Sequence, residues 1–264
     1  MQLRRISQGG LMKDAAILSM LLKQLRLPIM SRSWEGFNQE AQERGWTPSH
    51  FLKVLCEHEM SHRDSKKLIR HMKEAHLPRG KSFATFDFAA VPSLNKSQIY
   101  AFASGDIWLK GGKNLLLFGP SGVGKTHLAA AIGEKLVEAG HRVFFTKTTE
   151  LIQKLQLAKK ECQLPAALEK LNKYDCLILD DMGYVQKDQM ETSVLFELIC
   201  ERYENKSLLI TCNQPFAEWD KIFIDRTMAV AAVDRLVHHA TILELNVESY
   251  RRKAALAKAT GGQK

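Results

Sequence analysis

The chain has 264 residues, of which 45% are hydrophobic and 25% charged, the proportions of an ordinary soluble protein. No apolar run approaches the roughly 18 residues of a membrane-spanning helix, which excludes an integral membrane protein. The N-terminal residues lack the features of a secretory signal, and the five cysteines form no C-x-x-C pair. We therefore expect a reduced, cytoplasmic protein with no membrane partner.

The net charge of +9 is unevenly distributed along the chain. Residues 1–81 carry +7 and residues 251–264 carry +5, whereas residues 82–250 carry −3. Basic ends on a nearly neutral middle indicate a polyanionic partner. A solvated surface with surplus lysine is the alternative explanation.

The N-terminal part is predicted to be entirely helical. Apolar residues recur at helical spacing over 11–26, and a second helix is predicted over 33–44 with Ser33 as its cap. Pro48 opens a third helix, which either continues to residue 74 or breaks and restarts before it.

A basic stripe follows one face of this third helix. Its members recur at three- and four-residue steps, so a helix aligns them. Such a stripe suits binding to a phosphate backbone but carries no base readout. The candidate DNA-binding residues are Arg63, Lys66, Lys67, Arg70 and Lys73, and a partner protein is the other ligand that this part could bind.

His58, Glu59 and His62 match H-E-x-x-H, the motif of zinc proteases. The motif lies in a basic helical region and has no evident third ligand, so we interpret it as a chance match on a solvated helix. A structural zinc site that includes Cys56 is the alternative.

Composition divides the chain into four parts. Phe83, Phe86 and Phe88 lie in a segment punctuated by Pro and Gly, which is expected to dock onto the core as a linker. The predicted parts are a helical DNA- or partner-binding domain (1–76), a linker and lead-in (77–112), a nucleotide-binding core (113–250) and a basic tail (251–264).

A phosphate-binding loop follows a short apolar strand in the middle of the chain. Residues 115–118 are a continuous apolar run, typical of a strand buried on both faces, and residues 127–139 predict a helix. Between them lies G-x-x-x-x-G-K-[ST], in which Lys125 is expected to reach the β- and γ-phosphates of ATP and Thr126 to ligate Mg²⁺. The predicted nucleotide-binding residues are Gly119, Pro120, Ser121, Gly122, Val123, Gly124, Lys125 and Thr126.

Strand and helix patterns alternate after this loop. The alternation predicts an α/β fold with a parallel sheet covered by helices, and ligands at the carboxyl ends of the strands. The predicted strands are 142–146, 176–179, 207–211 and 241–245, and the predicted helices are 148–159, 189–203, 216–223 and 227–239.

Two further strands end in polar residues that suit a nucleotide site. Asp180 follows a buried apolar run, where a Walker B carboxylate holds Mg²⁺, and Asp181 is the candidate for polarising the attacking water. Asn213 ends the next strand and could orient that water, or it could simply be a turn residue.

Together these motifs resemble IstB-like ATPases, helper proteins of certain bacterial transposons that are similar to the DnaC and DnaI helicase loaders within the AAA+ class. The resemblance covers nearly the whole chain, including its helical N-terminal part. It rests on residues 119–129 (GPSGVGKTHLA), 179–184 (LDDMGY), 211–219 (TCNQPFAEW), 233–239 (VDRLVHH) and 248–251 (ESYR).

The resemblance implies roles for residues that the pattern alone leaves open. Asn213 would be the sensor 1 residue, Arg235 an arginine finger that completes a neighbouring subunit's site, and Arg251 the sensor 2 arginine. Asp181 stands where most AAA+ proteins have glutamate, which implies slow hydrolysis. The implied fold is an AAA+ core with a small helical N-terminal domain.

The predicted function is that of an ATP- and Mg²⁺-dependent ATPase that oligomerises on double-stranded DNA and assists a transposase. The ATP sites would lie at the interfaces of a homo-oligomer. A DnaC-like helicase loader is the nearest alternative. A metabolic kinase is a more distant one, since it would leave the basic ends unexplained.

Overall fold

The computed structural model describes residues 14–105, 108–183, 188–215, 218–219, 225–247 and 249–250. The chain divides into two compact units, Met1–Ile69 and Arg70–Lys264. Within the described ranges, no helix combines the length and apolar character needed to cross a bilayer.

The first unit is helical, as predicted. Helix α1 covers 14–24, α2 is Pro28–Arg44, and α3 is Pro48–Glu74, which runs unbroken past the unit boundary. Helix α2 begins five residues before its predicted start, because Pro28 occupies the first helical turn. The hydroxyl of Ser33 therefore does not cap a helix but donates to the Ile29 carbonyl one turn earlier.

The second unit is built on five parallel strands, as the alternation predicts. They are β1 (Asn114–Phe118), β2 (Val143–Lys147), β3 (Cys176–Asp180), β4 (Ser207–Cys212) and β5 (Ala240–Glu244), in the order β2-β3-β4-β1-β5. Strand β1 lies between β4 and β5 and is buried at every position.

Helices cover both faces of this sheet, because successive residues of β1 point to opposite sides. Leu115 and Leu117 join the apolar cluster that contains α4 (Lys96–Ser104) and α5 (Lys125–Glu138). Leu116 and Phe118 join the cluster of the other helices, which are α6 (Thr148–Lys160), α7 (Leu164–Asn172), α8 (Gln189–Arg202) and α9 (Arg226–Val237).

Helices α4 and α7 were not predicted from the pattern. Helix α4 lies in the segment treated as a lead-in to the core, where Asn95 caps it and Gly105 ends it in a left-handed conformation. Of the helix predicted over 216–223, only 218–219 are described, in a short 3₁₀ turn. The basic tail, 251–264, lies outside the described residues.

Candidate nucleotide-binding site

The phosphate-binding loop connects β1 to α5, as predicted. Gly119 has φ +148°, and a Cβ there would lie 2.5 Å from the carbonyl oxygen of Leu245, so no other residue fits. Lys125 begins α5 and is buried; its Nζ donates to the carbonyl oxygens of Gly119 (2.7 Å) and Pro120 (2.9 Å). The ammonium is thereby held against the loop that is expected to bind the phosphates.

A buried carboxylate lies beside this loop at the end of β3. Asp180 accepts a hydrogen bond from the Thr211 hydroxyl at 2.7 Å and another from the Thr126 hydroxyl. Burial raises its pKa above the ordinary value and Asp181 adds to the rise, whereas both hydrogen bonds and the charge of Lys81 oppose it. The Thr126 hydroxyl and the Asp180 carboxylate are therefore adjacent, as predicted for Mg²⁺ ligands.

Oxygen ligands of this kind suit Mg²⁺, which is usually held by one or two protein oxygens together with substrate phosphates. Thr126, at the start of α5, and Asp180, at the end of β3, supply two such oxygens next to each other. These residues therefore fit the ion, and they are the ones that would hold it.

Asp181 follows directly and faces a different environment. It is exposed, has φ +57°, and donates its backbone N–H to the Thr211 hydroxyl at 2.9 Å. Asn213 is also exposed, and its side-chain oxygen lies 2.9 Å from the position that a Cβ on Gly183 would occupy. Gly183 thus leaves room for the amide at the ends of β3 and β4.

A cavity of about 410 Å³ opens over the phosphate-binding loop. Its lining includes both polar and apolar side chains, as a nucleotide's phosphates and base require. Tyr250 closes it by donating its backbone N–H to the Gly122 carbonyl at 3.0 Å. The lining residues are Lys81, Thr85, Phe86, Asp87, Ala90, Val91, Ser121, Gly122, Val123, Gly124, Lys125, Thr126, His127, Asp181, Val247 and Tyr250.

The apolar end of this cavity was not predicted from the sequence. Phe86, Val91, Val247 and Tyr250 come from segments before and after the core strands. The three phenylalanines of the linker were the available signal, because they predicted docking onto the core without naming a base contact.

Comparison with known proteins assigns the chain to a family. A model described as IstB-like ATP binding protein matches residues 20–258. The chain belongs to this family.

Curated relatives agree with this assignment. An insertion sequence ATP-binding protein of Sinorhizobium fredii is 56% identical over 243 residues, covering 92% of this chain and 82% of the relative. An insertion sequence IS21 ATP-binding protein of Pseudomonas aeruginosa is 37% identical, covering 89% of each chain. Both relatives are thus named as ATP-binding proteins of insertion sequences.

Solved structures confirm the AAA+ fold. DnaI matches with a TM-score of 0.53 and 23% identity, covering 64% of this chain and 95% of that one. AMPPCP-bound DnaA from Aquifex aeolicus matches with a TM-score of 0.55 and 16% identity, covering 71% and 57%. At these identities the likeness concerns the fold alone.

Among the described residues of the IstB-like chain, Arg235 is not one that lines the cavity. Arg235 lies on α9, where Nη1 donates to the Ala231 carbonyl at 3.0 Å and the guanidinium lies 5.3 Å from the Phe196 ring. These contacts leave the side chain half-buried. Arg251 lies outside the described residues.

The basic stripe on α3 contains two kinds of residue. Arg63 is engaged in the fold of the first unit, since Nε pairs with Glu59 at 3.0 Å and Nη2 donates to the Arg26 carbonyl. The side chains of the other four are exposed and form no ion pair or hydrogen bond within the described ranges. They are Lys66, Lys67, Arg70 and Lys73.

The H-E-x-x-H residues of the IstB-like chain have structural contacts. Glu59 is 2% exposed and accepts hydrogen bonds from the backbone N–H groups of Ile29 (2.9 Å) and Met30 (3.1 Å) and from Arg63. Burial alone would raise the pKa of Glu59, but these donors outweigh it and hold the pKa below its ordinary value. Glu59 therefore fastens α2 to α3.

A different set of side chains has ligand-like spacing within the described residues: Glu204, His238 and His239, all exposed. His239 Nε2 lies 3.7 Å from the Glu204 carboxylate, and the Tyr203 hydroxyl lies 2.8 Å from His238 Nδ1. This polar network joins the residues that precede β4 and β5.

Proposed function

We propose that this ATP-binding protein is an ATPase that assembles on double-stranded DNA and assists a transposase. The observation that carries the proposal is the cavity over the phosphate-binding loop, which Lys125, Thr126 and Asp181 line, with Asp180 beside Thr126 at the end of β3. The names of the relatives, which are insertion sequence ATP-binding proteins, supply the transposition context. All five cysteines are free thiols, as a cytoplasmic protein would have them.

Each residue of the site would have one task in hydrolysis. Lys125 would bind the β- and γ-phosphates, and Thr126 and Asp180 would hold Mg²⁺. Mg²⁺ held by these two residues would neutralise charge on the phosphates. Asp181, which lines the cavity and is exposed, would accept a proton from the attacking water, and Asn213 would orient that water.

The proposal includes a homo-oligomer with shared sites. Arg235 is absent from the cavity of its own chain, so a finger role requires a site on a neighbouring copy. An isolated subunit would then be a poor ATPase, because an arginine finger contributes roughly 10³–10⁵ in rate. Arg251 as a sensor 2 residue remains a prediction from the family resemblance.

The decisive experiment measures affinity for a labelled DNA duplex by fluorescence anisotropy, with ATP, with ADP and without nucleotide. We expect ATP to strengthen binding by at least about tenfold and to produce a larger particle by mass measurement. Lys125→Ala should remove both effects while keeping the thermal melting curve of the folded chain. The proposal would be falsified if DNA affinity were indifferent both to ATP and to Lys125→Ala.

The role of the α3 stripe is tested separately by salt dependence. Each phosphate neutralised contributes about −0.9 to the slope of log affinity against log salt concentration, so removing four contacts should flatten the slope by about 3 to 4. The test variant replaces Lys66, Lys67, Arg70 and Lys73 with glutamine. The matched control replaces four exposed lysines on and near α6 and α7: Lys154, Lys160, Lys170 and Lys173.

Equal slopes for the two variants would show that the stripe does not bind DNA. A slope change in the control alone would place the DNA-binding surface near α6 and α7 instead of on α3.

A helicase loader is distinguished by its partner. The likeness to DnaI shows the fold alone, whereas the insertion sequence relatives cover most of this chain at higher identity. Capture of transposase by the ATP-bound chain on DNA is therefore the expected result. Capture of the replicative helicase instead would favour the loader.

A further inference from the structure

The linker contributes a second lysine to the nucleotide cavity. Lys81 lines the cavity together with Lys125, Thr126 and Asp181. Its side chain is half-buried, and its ammonium makes no hydrogen bond or ion pair within the described ranges. A half-buried cation beside a phosphate-binding loop therefore lacks an anion of its own.

The turn that carries Lys81 is held in place from both sides. The Thr85 hydroxyl lies 3.0 Å from the Gly80 carbonyl and accepts from the backbone N–H of Ser82 at 3.1 Å. His127, the residue after Thr126, places its Nε2 3.0 Å from the Ser82 carbonyl and 3.0 Å from the Thr85 hydroxyl. Because a carbonyl only accepts, Nε2 carries the proton and donates.

Phe86 extends the same attachment to the phosphate-binding loop. Its ring packs edge-on against His127 with centroids 5.3 Å apart, and a Cβ on Gly124 would lie 3.2 Å from that ring. The turn is therefore built against the start of α5, where the phosphates are expected, so the position of Lys81 is part of the site.

The residues beside Lys81 show which end of the cavity it faces. Lys125, Thr126 and Asp181 line the same cavity, and His127, whose Nε2 lies 3.0 Å from the Ser82 carbonyl of the turn, directly follows Thr126. Asp180 and Thr126 form the Mg²⁺ end of the site, where the β- and γ-phosphates of ATP would lie. A lysine ammonium is a point charge that suits a phosphate oxygen at this end.

We propose that Lys81 binds the terminal phosphate of ATP, so that the linker distinguishes ATP from ADP. The inference rests on the cavity being the ATP site, and it adds a residue that no sequence motif names. His127 is the positioning residue. It lies outside the linker, and its Nε2 contacts both the Ser82 carbonyl and the Thr85 hydroxyl of the turn.

The experiment measures equilibrium affinity for fluorescently labelled ATP and ADP in the presence of Mg²⁺, on the full chain without DNA. Lys81→Ala should weaken ATP binding about 10- to 100-fold, the size of one hydrogen bond to a charged group, and ADP binding less than about threefold. Lys81→Arg keeps the charge and should restore most of the ATP affinity. Lys154→Ala removes an exposed lysine outside the cavity and should match the wild type.

Unchanged ATP affinity in Lys81→Ala would overturn the inference. Equal losses for ATP and ADP would also overturn it, since the contact would not involve the terminal phosphate. Failure of the ATP site itself has a different signature, because Lys125→Ala would then bind both nucleotides as the wild type does. A melting temperature equal to that of the wild type confirms that each variant is folded.

Discussion

The two units differ in how completely they bury their apolar residues. In the second unit, Leu115, Leu116 and Leu117 of β1 are all 0% exposed. In the described part of the first unit, Leu25 is 68% and Ile69 70% exposed, and the buried hydrophobic residues are Met30 and Leu55. The residues of the nucleotide site are thus fixed by a closed interior, whereas the first unit retains a surface for contacts with other molecules.

A buried polar side chain stabilises each unit, but the two side chains differ in how far their partners are exposed to solvent. Arg202 is 0% exposed and donates to the carbonyl oxygens of Leu171, Tyr174 and Ser207 at 2.8–3.1 Å. Burial lowers its pKa to about 10. Glu59 in the first unit is also buried, yet its partner Arg63 has 54% of its side chain exposed. Replacing Arg202 should therefore lower the free energy of unfolding more than replacing Glu59.

The largest effect tests whether the second unit of one chain is a complete catalyst. Arg235→Ala should lower ATPase activity at least about 10³-fold, because the transition-state charge loses its arginine. Mixing it with Lys125→Ala should restore about a quarter of the wild-type rate, since randomly mixed neighbours pair an intact loop with an intact Arg235. Activity is measured by phosphate release in the presence of DNA.

If the mixture is as inactive as the two separate variants, Arg235 does not act across an interface. In that case the second unit needs no copy of itself to complete the site.

The next effect concerns stability of the second unit. Arg202→Ala should lower the free energy of unfolding by about 3 kcal/mol or more, because three buried carbonyl groups lose their donor. Denaturant titration followed by circular dichroism measures the change. Lys135→Ala, which removes a partly exposed pair with Glu138, should cost about 1 kcal/mol or less. Equal costs would show that burial does not set the difference between these positions.

The smallest effect concerns the first unit. Glu59→Gln should destabilise it by about 1–3 kcal/mol at neutral pH, because the N–H groups of Ile29 and Met30 lose a charged acceptor. Hydrogen exchange of the amides in α2 measures this opening. Glu57→Gln, with both members of the Lys53 pair more than 60% exposed, is the matched control and should change little.

The effect of Glu59 should also depend on pH. Its pKa is lower in the folded protein than in the unfolded chain, so the ionised group stabilises the fold above the unfolded pKa. That contribution is lost as the pH falls through the folded pKa. The wild type and Glu59→Gln should therefore converge in acid, and a difference that persists there would contradict the role of the charge.

Sequence reasoning identified the parts of the site that depend on local pattern. The apolar run of β1, the glycine loop and the carboxylate after β3 are each contained in a few consecutive residues, so their places at one sheet edge follow from parallel pairing. Lys81 and Val247 could not be found this way. Both residues line the cavity although they lie about 40 to 120 residues from the loop in sequence. A local sequence pattern does not indicate contacts over such separations.

Prediction from the local sequence pattern also failed where the same residue type can have two structural roles. Ser33 predicts the start of the second helix, but α2 already begins at Pro28 and the Ser33 hydroxyl donates to the Ile29 carbonyl. Glu59 and its histidines match a metal motif, but the carboxylate binds backbone N–H groups 29 and 30 residues away in sequence, in another helix.

The central place of β1 in the sheet has a consequence for synthesis of the chain. Its neighbours β4 and β5 come late, and about 130 residues separate β1 from the end of β5. At roughly 5–20 residues per second, a ribosome needs about 6–26 s to supply them. Both edges of this apolar strand are unpaired until β4 is made, and one edge remains unpaired until β5 is made, which is a hazard for aggregation. A message truncated before β5 should therefore yield a chain that cannot close its phosphate-binding loop, because Gly119 packs against Leu245.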